Sequence, residues 1–162
     1  MILMYLCVNT NMNVWTKTTL LSAAALLSAM ACTTVEPEPG LKSLESFRWE
    51  NRILFVFIGE KNRQEIINQL SEDNLLVEDR DMVWFVGDSN QLETNFAGSL
   101  DGTFAQTMAE KYQTDSDDSL EVVLIGKDGG VKYRADQLNA DEIYFEVIDV
   151  MPMRRTEMRE GS

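Results

Sequence analysis

The sequence contains no histidine, and its 162 residues include only two cysteines and three prolines. Without histidine, the chain lacks the side chain that most often acts as a general base near neutrality and most often holds a transition metal as a neutral ligand. The cysteines, Cys7 and Cys32, both lie near the N-terminus, and neither their number nor their spacing encodes a disulfide framework or a zinc site. Positive charge is also scarce. Fourteen Lys and Arg face 27 Asp and Glu, for a formal charge of −13. That balance argues against a nucleic-acid partner, whose phosphates demand clustered basic groups. The acids are dispersed, and their densest run, residues 115–118, reads as a solvated loop. What is present is 44% hydrophobic and 25% charged residues in a length that suits one domain, enough to bury a core.

The N-terminus reads as an address. LLSAAALLSAMAC, residues 20–32, is apolar, follows Lys17 and ends in small residues, the layout of a secretory signal. Its apolar run is shorter than the ~20 residues that cross a bilayer, so residues 1–31 are expected to be removed. Ala29-Met30-Ala31 satisfies an A-x-A cleavage rule, yet LSAMAC also resembles a bacterial lipobox, with Ala29 where Leu is usual. A lipobox makes Cys32 the acylated first residue of the mature chain. Several acyl chains would hold it stably, at about 0.8 kcal/mol per buried methylene. Thr33 stands where Asp would signal inner-membrane retention, so the expected location is the outer membrane facing the periplasm, with a soluble periplasmic or secreted protein as the alternative. The expected partners are the membrane, through Cys32, and an unidentified envelope protein or ligand. Residues 1–11 carry no charge, and Met12 reads as an alternative start. Residues 32–40 form a tether, and residues 41–162 the domain.

Within that domain ILFVFI (residues 53–58), MVWFV (82–86) and VVLI (122–125) are continuous apolar runs, as in strands covered on both faces. The third is followed by Lys127-Asp128-Gly129-Gly130, a hairpin signal. Helical patterns lie between, with capping-box spacings at Asn62/Glu65, Thr103/Gln106 and Asn139/Glu142. Pro152 is expected to interrupt or bend the last helix. The order β-α-β-α-β-β-α predicts an α/β domain with helices on both faces of a thioredoxin-like sheet, its first strands parallel and a hairpin at one edge. A flavodoxin-like sheet is the rival.

Four segments, ESFRWENRILFVF (45–57), EDRDMVWFV (78–86), VVLIGKDGGVKYR (122–134) and IDVMPMRRTEM (148–158), resemble the P-DUDES family. This is a domain of unknown function found in bacteria and in animal extracellular-matrix proteins with sushi repeats. The resemblance implies a thioredoxin- or peroxiredoxin-like fold and brings no established catalytic residues. Its motif positions here are Trp49, Arg52, Arg80, Asp81, Lys127, Asp128, Gly129, Met151, Pro152, Arg154, Arg155 and Glu157.

Thiol chemistry is not expected, because the turn GEKN (59–62), where such folds keep their cysteines, has none. Met151, Met153 and Met158 offer thioethers of the kind copper(I) accepts, but without His or Cys beside them they read first as packing residues. No metal or cofactor is therefore expected. Arg80 and Asp81 read as an ion-paired helix-to-strand junction, Lys127 and Asp128 as hairpin-tip residues, and Arg154, Arg155 and Glu157 as an anion site or a tie for the tail. The expected function is binding or scaffolding, presented by the 59–62 loop at the C-terminal strand edge and by the MPMRRTEM tail. The alternative is a non-thiol enzyme using carboxylates and arginines.

Overall fold

The computed structural model describes residues 40–114 and 119–161. The signal, Cys32 and the tether up to residue 39 lie outside the described residues, as does the acidic run 115–118. The described chain is an α/β domain built on a five-stranded mixed sheet of order β3-β2-β1-β4-β5. A 3₁₀ turn, Glu45–Phe47, precedes β1 (Arg52–Phe57), α1 (Glu60–Glu72), α2 (Asn74–Asp79), β2 (Met82–Gly87) and β3 (Leu92–Thr94). Then come α3 (Phe104–Tyr112), β4 (Glu121–Ile125), β5 (Val131–Ala135), a π-helix over Glu142–Ile148, and α4 (Pro152–Glu160).

The apolar runs are continuous because alternate residues serve two cores. From β1 and the residue after it, Leu54, Val56 and Ile58 join Trp84, Val86, Val122 and Leu124 beneath α1, α2 and the π-helix, in one cluster with Ile66, Leu70, Val77, Ile143 and Tyr144. Ile53, Phe55 and Phe57 point to the other face, where Phe85 and Val123 meet Phe104, Met108 and Tyr112 of α3. Phe55 stacks between Phe85 and Tyr112, with ring centroids 5.1 and 5.6 Å away. Each such ring removes large apolar area from water and dominates its layer's energetics.

β1 runs parallel to β2, with Leu54 opposite Trp84, as expected from the intervening helices. The antiparallel relation, however, begins with β4 and not only at the hairpin: β4 pairs antiparallel with both β1 and β5. β3 adds a short antiparallel partner to β2 that the pattern did not signal. Two of the capping expectations are corrected. α1 begins at Glu60, with Gly59 as its N-cap and no capping side chain, so Asn62 lies inside the helix. At α3 the Asp101 carboxylate accepts from the Thr103 N–H and hydroxyl, while Gln106 reaches Glu110 instead. The third box half forms, Glu142 N–H donating to Asn139 Oδ1 at 3.3 Å. Pro152 neither bends nor breaks a helix; it opens a new one. Met151 before it is extended, as a residue preceding proline prefers, and Pro152 takes the first helical position, where its missing N–H costs nothing.

Two glycines are required by geometry. Gly129 sits at φ 81° in the hairpin loop. Gly87 has φ 152°, and a Cβ there would come within 2.1 Å of the Gln91 carbonyl oxygen.

Candidate functional site

Four cations are buried at one end of the sheet. Arg52 begins β1, Arg80 precedes β2 at the end of α2, Lys127 follows β4, and Arg154 belongs to α4; their exposures are 1, 3, 8 and 6%. Because β4 is antiparallel to β1, its C-terminus meets the N-termini of β1 and β2, which brings these side chains together.

Carboxylates face all four. The Arg52 Nη2 donates to both Glu157 oxygens at 3.3 and 3.0 Å, and its Nη1 to the Arg80 carbonyl at 2.8 Å. Lys127 Nζ lies 2.7 Å from Asp81 and 2.8 Å from Glu157. Arg80 donates to Asp149 at 2.6 Å and lies 3.3 Å from Asp79, with its guanidinium 5.5 and 5.2 Å from the Tyr144 and Phe145 rings. Arg154 donates to the Asp79 side chain and to its carbonyl oxygen, and to Asp149 at 3.3 Å. Four positive charges thus meet four negative ones. Burying unpaired charge would be prohibitive, and this pairing offsets part of that cost.

The titration behaviour agrees. Burial works to raise the Glu157 carboxyl, but hydrogen bonds from Lys127 and Arg52 outweigh it and hold the group below its ordinary value. Burial likewise works to lower Lys127, and its bonds to Asp81 and Glu157 hold it above the usual lysine value. Burial, with the Asp73 carboxylate nearby, pushes the Tyr144 phenol far up.

Of the motif positions, Arg52, Arg80, Asp81, Lys127, Arg154 and Glu157 are directly joined in this cluster. Trp49, at φ 68° and largely exposed, is tied to it by its N–H donating to the Lys127 carbonyl at 2.7 Å, while the Arg48 guanidinium lies over its ring. Asp128 and Gly129 form the hairpin loop, where Asp128 accepts from Lys132 and from the Gly130 N–H. Met151 and Pro152 lie beside the cluster, and Arg155 stands exposed outside it.

Two expectations are corrected. Arg80 and Asp81 do not pair with each other but reach Asp149 and Lys127. Lys127 is no tip residue but an interior cation. The 59–62 loop lies at the C-terminal edge of β1, as expected, and therefore at the end opposite the buried charges, roughly 17 Å away by strand rise. The nearest charged pair there is Arg63 with Asp88, at 2.6 Å. Asp79 and Asp149 were missed. Both lie inside the quoted segments EDRDMVWFV and IDVMPMRRTEM, but the cations that bring them into the cluster, Arg154 for Asp79 and Arg80 for Asp149, stand 75 and 69 residues away in the chain.

Two cavities flank the hairpin loop. One, of about 190 Å³, has Phe47, Ile53, Met108 and Tyr112 among its lining residues, with Arg48 and Lys111 beside them. The other, of about 300 Å³, lies against Arg52, Lys127 and the Met151–Met153 segment. Among the described residues no cluster of three His, Cys, Asp or Glu side chains is arranged to hold a metal ion, and no helix is long and apolar enough to cross a membrane.

The profile of a domain of unknown function, DUF4174, matches residues 43–157 of this chain. No curated protein matches it.

Proposed function

The chain belongs to the DUF4174 family, and from that premise we propose that it is an exported, lipid-anchored binding module of the bacterial envelope, with a thioredoxin-like fold of the P-DUDES type and no thiol chemistry. The observation that carries this reading is the charge-balanced cluster. Its cations and carboxylates are consumed by one another, which suits a rigid framework better than a reactive centre. An acid–base enzyme working near neutrality needs a carboxyl raised toward that range. Among the described residues, the carboxylates of Asp88, Asp101, Asp128 and Glu157 are displaced downward from their ordinary values.

The strand order supports the thioredoxin-like part: a central β1 parallel to β2 and antiparallel to β4, with β5 beyond. The lipid anchor rests on Cys32 and the residues before it. The test is the intact mass of the protein extracted from membranes, beside a Cys32→Ser variant. The expected result is a chain beginning at Cys32 with added acyl mass, absent from the variant. An unmodified, freely soluble chain would overturn the anchor and leave a periplasmic or secreted role.

A further inference from the structure

Trp49 combines an accessible side chain with a backbone conformation that its size disfavours. It follows the 3₁₀ turn at φ 68°, in the left-handed region where glycine is the default and a bulky residue is an outlier. Burial does not offset that strain, because 57% of the residue is exposed. The chain is nonetheless pinned there. The Trp49 N–H donates to the Lys127 carbonyl at 2.7 Å, and the Asn51 N–H to the Phe47 carbonyl at 2.8 Å. The Arg48 guanidinium lies 5.7 Å from the ring centre. Strained residues gather where a side chain is held ready for contact, and this indole is fixed yet open to solvent.

Its surroundings define the ligand. Arg48, Glu50 and Asn51 flank Trp49 in the chain, and the other large apolar side chains that are exposed belong to α2, β5, the end of the π-helix and α4. A protein partner covers a continuous apolar patch. A ring set among polar groups instead suits a ligand with an apolar face and polar edges, which describes a sugar. The smaller cavity, of about 190 Å³, adjoins Trp49: Arg48 and Lys127, which hold the indole residue, both line it, as do Ser43, Asn51, Lys111 and Asp128. Ser43, Arg48 and Lys111 are exposed, and Asn51 and Asp128 half-buried, so donors and acceptors of both kinds are reachable by hydroxyls, which also do both. Charges at this rim are paired, Arg48 with Glu45 at 4.0 Å and Asp128 with Lys132 at 2.6 Å, which favours a neutral ligand over an ion. The space is smaller than drug-sized sites of about 300 Å³ and upward, and it suits a single ring.

We propose that Trp49 is the stacking platform of a glycan-binding site, one sugar ring lying on the indole and the hydroxyls of the next bonding to Ser43, Asn51 and Lys111 at the rim of the adjoining cavity. This rests on the binding-module reading and deepens it by naming a neutral oligosaccharide as the ligand class. It does not depend on acylation of Cys32.

The experiment is an NMR titration of the mature chain carrying Cys32→Ser, with glucose, maltotriose, cellotriose and tri-N-acetylchitotriose as probes. That chain keeps two tryptophans, Trp49 and the buried Trp84, so the indole N–H signals separate platform from core. Saturable shifts are expected at the Trp49 indole and at the amides of Asn51, Lys111 and Gly129, with the Trp84 indole unmoved. One trisaccharide should bind about tenfold more tightly than glucose, because a second ring adds contacts. Trp49→Gly should abolish binding and raise the urea midpoint, since glycine adopts φ 68° without strain. Trp49→Tyr should retain binding, weakened about threefold, because a smaller ring still stacks. Lys111→Ala, at the exposed rim, should weaken it about threefold through one lost hydrogen bond. No saturation with any trisaccharide, or shifts that persist in Trp49→Gly, would overturn the proposal. A lowered midpoint for Trp49→Gly would do the same, by giving the ring a structural role. Tighter binding of a blocked trileucine peptide than of every trisaccharide would replace the glycan with a protein partner. Absence of acyl mass on Cys32 would leave this titration unaffected, so the two readings fail separately.

Discussion

Arg52 shows how one residue can serve the fold at a cost that only distant partners offset. It opens the most apolar strand, with 1% of its surface exposed, and it is held by a carbonyl 28 residues away and a carboxylate 105 residues away. Removing only one member of such a pair strands the other charge in a poorly hydrated place. Glu157→Gln should therefore cost about 3 kcal/mol in urea unfolding, whereas Arg52→Met combined with Glu157→Leu should recover part of that loss, Lys127 keeping Asp81 as its remaining partner. A double variant no better than the single one would show that the pair's contribution is not electrostatic. Gly87 gives a purely steric case: at φ 152°, with a carbonyl oxygen 2.1 Å from any added Cβ, Gly87→Ala should cost about 3 kcal/mol.

The same groups set the pH response. Glu157 and Asp88 titrate below their ordinary values in the folded chain. Their contributions are complete above the unfolded values, near 4.5 and 3.8, and are lost as pH falls through the lower folded ones. Lys127 is raised, so its contribution is complete below the unfolded value of 10.5 and is lost as pH climbs through the folded one. Denaturant midpoints should thus hold level between these limits and fall on both sides. Glu157→Gln should flatten the acid side.

At the scale of elements, α4 differs from the rest. Its buried residue is Arg154, while Met153 and Met158 are among the exposed large apolar side chains. It is therefore fastened to the sheet by charge through Arg154 and Glu157, whereas α1 and α3 are held by apolar area. Local opening follows the least buried contacts. Amides of α4 should exchange through an opening well below the global unfolding free energy, faster still in Glu157→Gln, while β1 and β4 exchange only on global unfolding. Uniform protection of α4 and β1 would contradict this.

The same contrast explains which elements were legible. β1, β2 and β4 announce themselves because two covered faces leave no room for polar residues. β3 is three residues long with one buried side chain, Leu92, too little for any periodicity. The helix before Pro152 carries an ordinary apolar spacing, and nothing in that spacing separates a π-helix from an α-helix. α4 reads as a tail because its docking uses charges rather than an apolar stripe.

For the whole molecule, legibility of the site follows the same logic. Arg52, Arg80, Lys127, Arg154 and Glu157 stood out as motif positions, but their meeting depends on β4 running antiparallel beside β1. The 59–62 loop drew attention through the general behaviour of open α/β sheets, whereas the buried charges gather at the other end. Charge also bears on how the molecule meets a membrane. Removal of the proposed signal, with Lys17, would take the formal charge from −13 to −14, and the most deeply buried basic side chains are already matched by acids. Such a body is repelled by anionic lipid headgroups, each of which would otherwise attract an unpaired Lys or Arg by about 1 kcal/mol. If acyl chains on Cys32 hold the protein, they do so against that repulsion and without help from the domain surface. The mature Cys32→Ser chain should therefore stay in the supernatant when sedimented with anionic vesicles, at low salt and at physiological salt alike. Vesicle binding at low salt that disappears as salt is added would reveal a basic face and make membrane contact a property of the folded domain.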